Sequence, residues 1–301
     1  SYYDATRREM IKFIAFDQDD TALLPDGKPS QKGIQAIEDA LDMGIIVASV
    51  SGRNIDRSCE PFLHVPQVFD RLYIIANNGS IIVSPVENGR RELLFERRIP
   101  RETLLLVLDY LESNDHNFVY SWLRSTSEGA KDSVIANRNS ASIEAIVSQN
   151  GAQIAVDTDL VSQLRAGDYP PPPKLLVLPG LERREAVFQD MSSKFGEQLY
   201  LVKTSPDRIE AMNPEVNKKE GIAHLTERHG LSLQDVMAVG DGENDLPMLF
   251  NAGLGVVMGN AHESVIREGR ERGLVIGPPS DEDGFAWAIR TLALGEPDSR
   301  N

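Results

Sequence analysis

The stretch Ile11-Lys-Phe-Ile-Ala-Phe-Asp-Gln-Asp-Asp-Thr21 joins an apolar run directly to three carboxylates. A short run rich in Ile and Phe is typical of a strand buried in a parallel sheet. Asp17 and Asp19 are two residues apart, so in an extended segment both side chains emerge on the same side. Two carboxylates packed at a strand end repel each other unless they share a hard cation such as Mg2+. The stretch therefore predicts a buried strand that ends at a metal site.

An EF-hand calcium loop does not explain these acids. Numbered from Asp17, such a loop would have Ala22 at its sixth position and Lys28 at its twelfth, where Gly and Glu are required. A polar turn after a strand remains the alternative when this segment is considered by itself.

The strand pattern recurs along the chain, with helices between the strands. From Pro29-Ser30 to Gly44, a capping serine, apolar residues on one face and a terminal glycine predict a helix. A second helix is predicted from Lys218 to His229, before Gly230. Further apolar runs predict buried strands at Ile45–Val50, Leu72–Ala76, Val236–Val239, Gly255–Met258 and Leu274–Ile276. This alternation predicts a doubly wound α/β sheet, with ligands at the strand ends.

The region from about 84 to 213 has a different pattern. Its predicted strands are shorter and more amphipathic, namely Phe118–Trp122, Lys174–Leu178, Leu199–Thr204 and Arg208–Met212. Helical stretches are predicted near Leu104–Leu111, Ile143–Ser148 and Leu181–Phe195. We expect an inserted α+β domain with an antiparallel sheet at 84–213, between the two core segments 10–83 and 214–301.

The prolines at 170–173 allow two interpretations. They could serve as a polyproline ligand for an SH3-type partner, or form a stiff loop that leads into the next strand. We favour the loop, because one four-proline run inside a globular region is a weak binding signal.

The composition indicates a globular chain with a negative surface. The 301 residues carry 31 Lys and Arg against 46 Asp and Glu, a net charge of −15, which disfavours nucleic acid and anionic membranes as partners. No apolar run approaches the roughly 18 residues of a membrane span. Cys59 is the single cysteine, so no internal disulfide forms and a cytoplasmic location is expected. Met10 is typical of a natural start, and residues 1–9 would then be an extension. The sequence does not predict the oligomeric state.

Two short segments offer groups that bind anions. Ser51-Gly52, at the end of an apolar run, presents a hydroxyl and accessible backbone N–H groups, although such turns are also ordinary. Lys218 and Lys219 begin a predicted helix, where a cation opposes the helix dipole unless an anion lies nearby. The alternative is a solvated basic patch, and periodicity alone does not decide which lysine points inward.

The segment Gly240-Asp-Gly-Glu-Asn-Asp245 places more acids at another strand end. Gly240 and Gly242 allow a tight turn and a close approach of the backbone to a ligand. One capping residue would suffice for the helix that follows, so capping alone does not account for this many polar residues. We predict Asp241 at the strand tip, with Asn244 and Asp245 in the turn into the next helix.

Taken in order, these four segments resemble the motifs of the haloacid dehalogenase superfamily of phosphohydrolases. The chain is similar to its Cof-like branch of sugar-phosphate phosphatases, which carry a large C2-type cap after the second motif. The first motif there is Asp-x-Asp-Gly-Thr and the fourth is Gly-Asp-x-x-Asn-Asp-x-x-Met. Asn77–Ser80 is similar to the branch's "NGA" segment, and Met258–Ala261 to its "MGNA" segment. The resemblance implies a Rossmann-like catalytic core with an inserted cap.

The resemblance also implies a role for each matching residue. Asp17 is then the nucleophile that takes the phosphoryl group, and Asp19 is the acid for the leaving alcohol and the base for water. Asp17, Asp241 and the backbone carbonyl of Asp19 hold Mg2+, with Asp245 in support. The phosphate is bound by Ser51, Gly52, Lys218, Asn244 and the Gln18 amide.

Lys218 rather than Lys219 matches the family's lysine, because Lys218 follows Val-Asn. The chain departs from the pattern where Asp20 replaces a Gly and Ala22 a Leu. The extra carboxylate of Asp20 could slow phosphate entry or strengthen cation binding. In an extended chain it points away from the metal pair, so that replacement by Gly should only add backbone freedom, at a cost of about 0.5–1 kcal/mol. The alternative is a tight turn that brings Asp20 towards the phosphate, in which case its removal should lower the Michaelis constant. We favour the first.

We therefore expect a Mg2+-dependent phosphatase that hydrolyses small phosphomonoesters, such as sugar phosphates, through an aspartyl phosphate. The alternatives are a sugar phosphomutase of the same superfamily, a phosphosugar-binding sensor without turnover and, with least support, an interaction module. The cap should select the leaving group, and the sequence does not identify it. The candidate selecting residues are Arg53, Lys203, Asp207 and Arg208.

Overall fold

A computed structural model describes residues 11–204, 206–298 and 300. They form two compact units: a core unit that runs to Leu94 and resumes at Asn217, and an inserted unit, Phe95–Val216. The predicted start at Met10 and the extension 1–9 lie outside the described residues. No helix in the described part of the chain is both long enough and apolar enough to cross a bilayer.

The strands are β1 (Phe13–Phe16), β2 (Ile46–Val50), β3 (Tyr73–Ala76), β4 (Ile81–Val83), β5 (Leu93–Glu96), β6 (Phe118–Thr126), β7 (Gly129–Ala136), β8 (Ala155–Val156), β9 (Lys174–Val177), β10 (Tyr200–Thr204), β11 (Arg208–Met212), β12 (Val236–Gly240), β13 (Leu254–Val257) and β14 (Val275–Ile276). The α-helices are α1 (Gln31–Asp42), α2 (Ile55–Cys59), α3 (Pro66–Phe69), α4 (Arg101–Ser113), α5 (Ala141–Asn150), α6 (Leu160–Ala166), α7 (Arg184–Phe195), α8 (Lys218–Arg228), α9 (Leu246–Asn251), α10 (Glu263–Glu271) and α11 (Gly284–Trp287).

The core unit is organised around β1. Its sheet has the order β14-β13-β12-β1-β2-β3-β4-β5, and β1 pairs in parallel with β12 on one side and β2 on the other. The chain therefore winds away from β1 in both directions, which confirms the predicted doubly wound α/β fold. Every residue of β1, β12 and β13 is buried, as their apolar runs predicted. The antiparallel strand β4 and the edge strand β5 were not predicted.

The first predicted helix is α1, and its start has a clear local cause. The hydroxyl of Ser30 accepts a hydrogen bond from the backbone N–H of Gly33 at 2.9 Å, which caps the first turn. Ile37 is buried beneath the helix. The predicted helix at Lys218 is α8, capped in the same way by Asn217.

Strand register brings the candidate motifs to one edge of the core sheet. Phe16 of β1 lies opposite Ser49 of β2 and Val239 of β12. The residues that follow these strands are Asp17, Ser51 and Asp241. They lie at the carboxyl ends of neighbouring parallel strands, beside the point where the winding reverses, which is where ligands bind in such sheets.

The inserted unit has a six-stranded sheet in the order β10-β11-β9-β6-β7-β8. Its pairs are antiparallel except β7 with β8. One face packs against α4, α6 and α7 through a core that includes Leu108, Leu164, Met191 and Val177. This is an α+β unit, as predicted, although β7, β8 and α6 were not foreseen. The chain leaves the core unit within β5, after the predicted boundary at 84, because residues 84–92 still bond to the core unit: Val86 N–H donates to the carbonyl of Asp70 and Arg91 Nη2 to that of Phe69, both at 2.8 Å.

The prolines at 170–173 are a stiff loop, in line with the favoured interpretation. The carbonyl oxygens of Pro170 and Pro171 accept hydrogen bonds from the Tyr120 hydroxyl and the Arg98 guanidinium, each at 2.7 Å. Strand β9 begins at Lys174, directly after the run. The loop is thus bonded into its own unit.

Candidate active site

The turn after β1 carries Asp17 and Asp19 into different surroundings. Residues 18–22 form a tight turn, in which Asp20 has a left-handed backbone with φ of 59°. Asp17 is buried, whereas the side chain of Asp19 is 58% exposed. The prediction that both side chains emerge on one side assumed an extended backbone, whereas the chain turns here and the two carboxylates have different burial and different partners.

A fully buried lysine joins the first and fourth motifs. Lys218 Nζ lies 2.9 Å from Asp17 Oδ1 and 2.6 Å from Asp245 Oδ1. Oxygen atoms of Asp17, Asp241 and Asp245 lie within 4.8 Å of one another. Four of the predicted residues therefore meet in one place, three carboxylates around one ammonium group.

Lys218 is the inward lysine, which the periodicity had left open. The side chain of Asn217 accepts a hydrogen bond from Glu220 N–H at 2.9 Å, so that α8 begins with Lys218 in its first turn. Lys218 is fully buried, while the side chain of Lys219 is 35% exposed and lies 3.6 Å from Glu220.

Asp245 supports the site through its backbone contacts. Its Oδ2 accepts hydrogen bonds from the N–H groups of Asp241 and Gly242, both at 2.9 Å. A Cβ at position 240 would lie 2.6 Å from the Asp245 carboxyl carbon, so only glycine allows this return of the side chain. Both oxygens of Asp245 are thus engaged, one by Lys218 and one by the backbone, and the residue braces the cluster.

Burial and mutual repulsion set the charges of the cluster. Burial, and next the charge of Asp245, raise the pKa of Asp17 well above its ordinary value, with Lys218 opposing them. Burial likewise raises the pKa of Asp241 to about 6. Burial alone would lower the pKa of Lys218, but Asp17 and Asp245 raise it above its usual range, so the lysine stays protonated.

The cluster fits a hard divalent cation. Three carboxylates face one ammonium group, so the ionised cluster carries excess negative charge in a buried place. Carboxylate oxygens are the ligands that Mg2+ and Ca2+ prefer. A bound cation would relieve the repulsion that raises the pKa of Asp17 and Asp241. Asp17 and Asp241 are the best-placed ligands, because Asp245 is already saturated with hydrogen bonds.

Thr21 belongs to this site, although no role was predicted for it. Its hydroxyl donates a hydrogen bond to Asp241 Oδ1 at 3.0 Å, across 220 residues of sequence. The threonine stands in the first motif quoted above. That motif was the available signal, but the partner could be found only from the folded chain.

Asp19 is held by Arg53 rather than by the buried cluster. Arg53 Nη2 lies 2.7 Å from Asp19 Oδ1, and Nε lies 3.0 Å from Oδ2, which is a bidentate pair. Arg53 Nη1 also donates to the carbonyl of Arg57 at 3.2 Å. Arg53, predicted as a substrate contact, is therefore engaged with Asp19. The Asp19 backbone carbonyl as a metal ligand stays a prediction.

The predicted phosphate donors are divided between the site edge and the interior. Ser51 is buried at the end of β2, and its Oγ accepts a hydrogen bond from Arg53 N–H at 3.0 Å. The Gln18 side chain is fully buried and donates to Ser49 Oγ at 2.8 Å and to the carbonyl of Ser58 at 2.9 Å. It therefore ties β1 to the second motif and cannot bind phosphate; only the backbone amide of Gln18 keeps that expectation.

Two segments noted for resemblance alone contact predicted site residues. Asn244 Nδ2 donates to Asn78 Oδ1 at 3.1 Å. Asn260 Nδ2 donates to the carbonyl of Asp20 at 2.9 Å and thereby fixes the turn after β1. Neither contact was predicted, because a sequence pattern does not show which loops meet in the folded chain.

In the inserted unit, the candidate selecting residues lie on opposite faces of the sheet. Lys203 pairs with Glu185 at 2.8 Å and lies opposite Ile209, a residue of the helix-covered core. Lys203 is therefore on the covered face and is unsuited to substrate selection. Arg208 alternates with Ile209 along β11 and lies on the other face, paired with Asp207 at 3.2 Å.

Comparison with known proteins gives a consistent family. The model of the haloacid dehalogenase-like hydrolases matches residues 14–289, and the chain belongs to this family. The chain is 27% identical to the 5-amino-6-(5-phospho-D-ribitylamino)uracil phosphatase YcsE of Bacillus subtilis, over 94% of this chain and 96% of that one. It is 25% identical to the HMP-PP phosphatase of Escherichia coli, over 84% and 85% of the two chains.

A solved structure agrees in fold. The crystal structure of TM0651 from Thermotoga maritima superposes with a TM-score of 0.77, at 22% identity, over 97% of this chain and all of that one. The family match confirms the predicted superfamily, and these relatives place the chain among its Cof-like phosphatases.

Proposed function

We propose that this chain is a Mg2+-dependent phosphatase of small phosphomonoesters that works through an aspartyl phosphate on Asp17. The observation that carries the proposal is the buried contact of Lys218 with both Asp17 and Asp245, beside Asp241. A lysine buried among carboxylates costs desolvation energy that structural packing alone does not require. This arrangement is expected of a site at the sheet edge that binds both an anion and a cation.

Asp17 and Asp241 would hold Mg2+, supported by Asp245 and the backbone carbonyl of Asp19. When bound, the ion neutralises charge on the phosphoryl oxygens and on the carboxylates. Lys218 adds a second positive charge at the nucleophile. Both charges oppose the repulsion between the Asp17 carboxylate and an anionic substrate, which is the main obstacle to this reaction.

In the first step an oxygen of Asp17 attacks phosphorus, and the bond from phosphorus to the leaving oxygen breaks. The leaving oxygen takes a proton from Asp19, so that an alcohol departs and an aspartyl phosphate remains. Asp19 is suited to this role because its carboxyl is mostly exposed to the solvent from which the attacking water comes. Asp17 is suited to attack because Lys218 fixes one of its oxygens.

In the second step water attacks the phosphorus of the aspartyl phosphate. Asp19, now ionised, takes the proton of that water, and the bond between phosphorus and the Asp17 oxygen breaks. Inorganic phosphate leaves and both carboxyl groups return to their initial states. The phosphoryl oxygens are held by Lys218, by Asn244 and by the Ser51-Gly52 turn, with the backbone amide of Gln18 beside them.

We further propose that the inserted unit is the cap that selects the leaving group, with a small polyhydroxylated phosphomonoester such as a sugar phosphate as substrate. The relative that acts on a phospho-D-ribitylamino compound supports this class, since its name describes a phosphorylated polyol chain. Arg208, on the sheet face opposite α4, α6 and α7, and its ion-pair partner Asp207 are the selecting residues of the inserted unit. The single Cys59 supports a reducing compartment such as the cytoplasm.

The test is phosphate release from a panel of phosphorylated sugars, polyols and aryl phosphates, with Mg2+ and with a chelator. We expect release only with Mg2+, and a loss of at least about 1,000-fold in Asp17→Asn, which keeps the shape but not the nucleophile. Asp26→Asn, a change of the same type at an exposed aspartate, should leave the rate unchanged.

Two outcomes would replace the proposal. Binding of phosphosugars without release by the wild-type chain would indicate a sensor. Transfer of the phosphoryl group to a second sugar hydroxyl, detected as an isomeric sugar phosphate, would indicate a phosphomutase.

A further inference from the structure

The turn Asn77–Gly79, at the end of β3, contacts several segments to which the proposed function assigns phosphate binding. Asn78 is fully buried, and its backbone N–H donates to the carbonyl of Ser51 at 2.9 Å. The next residue, Gly79, packs so closely on α8 that a Cβ there would collide with the carbonyl oxygen of Asn217, just before Lys218. The Asn78 side chain reaches Asn244. One turn therefore touches the Ser51 loop, the lysine helix and the fourth motif.

The contact with Asn244 has a chemical consequence. A phosphoryl group offers only acceptor oxygens, so a neighbouring amide assists it only with its N–H end. The two ends of an asparagine amide are nearly equal in size, and hydrogen-bond partners decide which way it faces. Asn78 Oδ1 accepts from Asn244 Nδ2 at 3.1 Å, which fixes the amide nitrogen at that end. The second N–H of Nδ2 stays available for another acceptor.

We propose that Asn78 is a positioning residue, whose side-chain oxygen orients the amide of Asn244 so that it donates to the phosphoryl group. The inference rests on the proposed function, since it deepens the role given there to Asn244. Asn78 is itself held firmly, by burial and by its backbone bond to Ser51. Its φ of 58° is left-handed, a conformation that asparagine tolerates better than most residues.

The decisive variant is Asn78→Gly, because glycine accepts the left-handed backbone and removes only the side chain. We expect kcat/KM to fall about tenfold, and the dissociation constant of inorganic phosphate, measured by calorimetry, to rise about as much, as for a lost orienting hydrogen bond. In an Asn244→Ala background the same change should have no further effect. Asn88→Gly, an exposed residue with φ of 54°, is the matched control and should leave both constants unchanged.

If Asn78 had a purely structural role, these experiments would give a different result. Losses from Asn78→Gly and Asn244→Ala that add in the double variant, or wild-type constants in Asn78→Gly, would overturn the inference. A wild-type chain that releases no phosphate would count against the proposed function alone, because phosphate binding is measured by calorimetry without turnover.

A spectroscopic measurement covers the case in which Asn78→Gly does not fold. The side-chain amide signals of Asn244 in the wild-type chain are identified by their loss in Asn244→Ala. We expect two resolved proton signals, one shifted by its hydrogen bond to Asn78, and a change in the other when inorganic phosphate is added. Signals averaged as in a freely rotating amide would overturn the inference.

Discussion

The turn after β1 has an inner and an outer side, and the aspartates on the two sides differ in burial and in ion-pair partners. On the inner side, Asp17 is buried against Lys218, which also contacts Asp245. On the outer side, Asp19 is mostly exposed and pairs with the single guanidinium of Arg53. The inner side has more carboxylates than cationic groups, whereas the outer pair has one carboxylate and one cationic group, so its charges cancel. The two carboxylates stand only two residues apart in sequence.

This difference suits the two carboxylates to the two chemical roles that we propose for them. A buried carboxylate with fixed partners is held in one geometry and is costly to rearrange, as a nucleophile requires. An exposed carboxylate in an ion pair is held by about 1 kcal/mol or less, so it can exchange its partner. The excess charge of the inner side calls for a cation, and the outer side does not. Variants on the two sides should therefore differ in which property they change, as well as in the size of that change.

The largest effect is expected for Lys218→Met on the inner side. It leaves Asp17 and Asp245 without their buried cation, so the free energy of unfolding should fall by about 3–5 kcal/mol and turnover should be lost. Lys219→Met, at the exposed neighbour, should change neither. Urea unfolding and phosphate release measure both quantities. Equal, small effects of the two variants would show that the inner cluster does not depend on Lys218.

Asp241→Asn should stabilise the metal-free protein while abolishing its response to Mg2+. The pKa of Asp241 is raised from 3.8 to about 6 in the folded chain, so ionising it above that pH costs roughly 1–3 kcal/mol of folding free energy. The amide removes this cost and still accepts a hydrogen bond from Thr21. Melting temperatures at pH 7.5, with EDTA and with Mg2+, measure both effects.

The same variant makes a prediction about pH. Between pH 4 and 6 the folded wild-type chain binds more protons at Asp241 than the unfolded chain does, so its stability should fall as pH rises through this range. In EDTA, Asp241→Asn should lose that part of the decline, whereas Asp26→Asn should keep it. If the stability of Asp241→Asn and that of the wild-type chain changed by the same amount between pH 4 and 6, the result would contradict the raised pKa.

On the outer side, Arg53→Met should act mainly through Asp19. Without its bidentate partner Asp19 is less well placed to protonate the leaving oxygen, so we expect about a tenfold loss of turnover for an alkyl phosphate. For p-nitrophenyl phosphate, whose leaving group needs little protonation, the loss should be smaller. Arg53→Lys should lie between the two. An equal rise in KM for both substrates, with turnover unchanged, would instead make Arg53 a substrate contact.

Most strands, about half of the helices and the acids of the inner site could be predicted because each depends on a local pattern. Buried strands such as Phe13–Phe16 can be recognised from their apolar composition, and the acids follow directly after those strands. The outer side could not be predicted. Its geometry depends on the left-handed residue Asp20 and on a contact from Arg53, more than thirty residues away, and neither has a periodic signal. The inward position of the Gln18 side chain could not be predicted for the same reason, since it depends on hydrogen bonds to Ser49 and Ser58.

The inserted unit was less predictable than the core unit for a related reason. Its strand β7 lies at intermediate burial along most of its length, so its residues lack the continuous apolar run that marks β1. Lys203 illustrates the consequence. Only the register of β10 with β11 shows which sheet face a residue occupies, and sequence alone does not give that register.

The smallest effect is expected at Asp20, between the two sides of the turn. The sequence suggested that Asp20→Gly costs about 0.5–1 kcal/mol, but that estimate assumed an extended backbone. At φ of 59° the sign reverses, because glycine adopts this conformation without strain. Partial desolvation, and then the charge of Asp19, raise the pKa of Asp20, so its ionised form is also disfavoured in the fold. Both effects are removed in the glycine variant.

We therefore expect Asp20→Gly to raise the free energy of unfolding by about 0.5 kcal/mol, after the greater freedom of glycine in the unfolded chain is subtracted. The turn should persist, since Asn260 bonds to the backbone carbonyl of residue 20 and not to its side chain. Asn88→Gly relieves a similar backbone without a neighbouring carboxylate, so its gain in melting temperature should be smaller. The Michaelis constant should change by less than about threefold, because salt and solvent screen an exposed carboxylate. A lower melting temperature for Asp20→Gly, or a large fall in the Michaelis constant that disappears at high salt, would show that Asp20 belongs to the inner side of the turn.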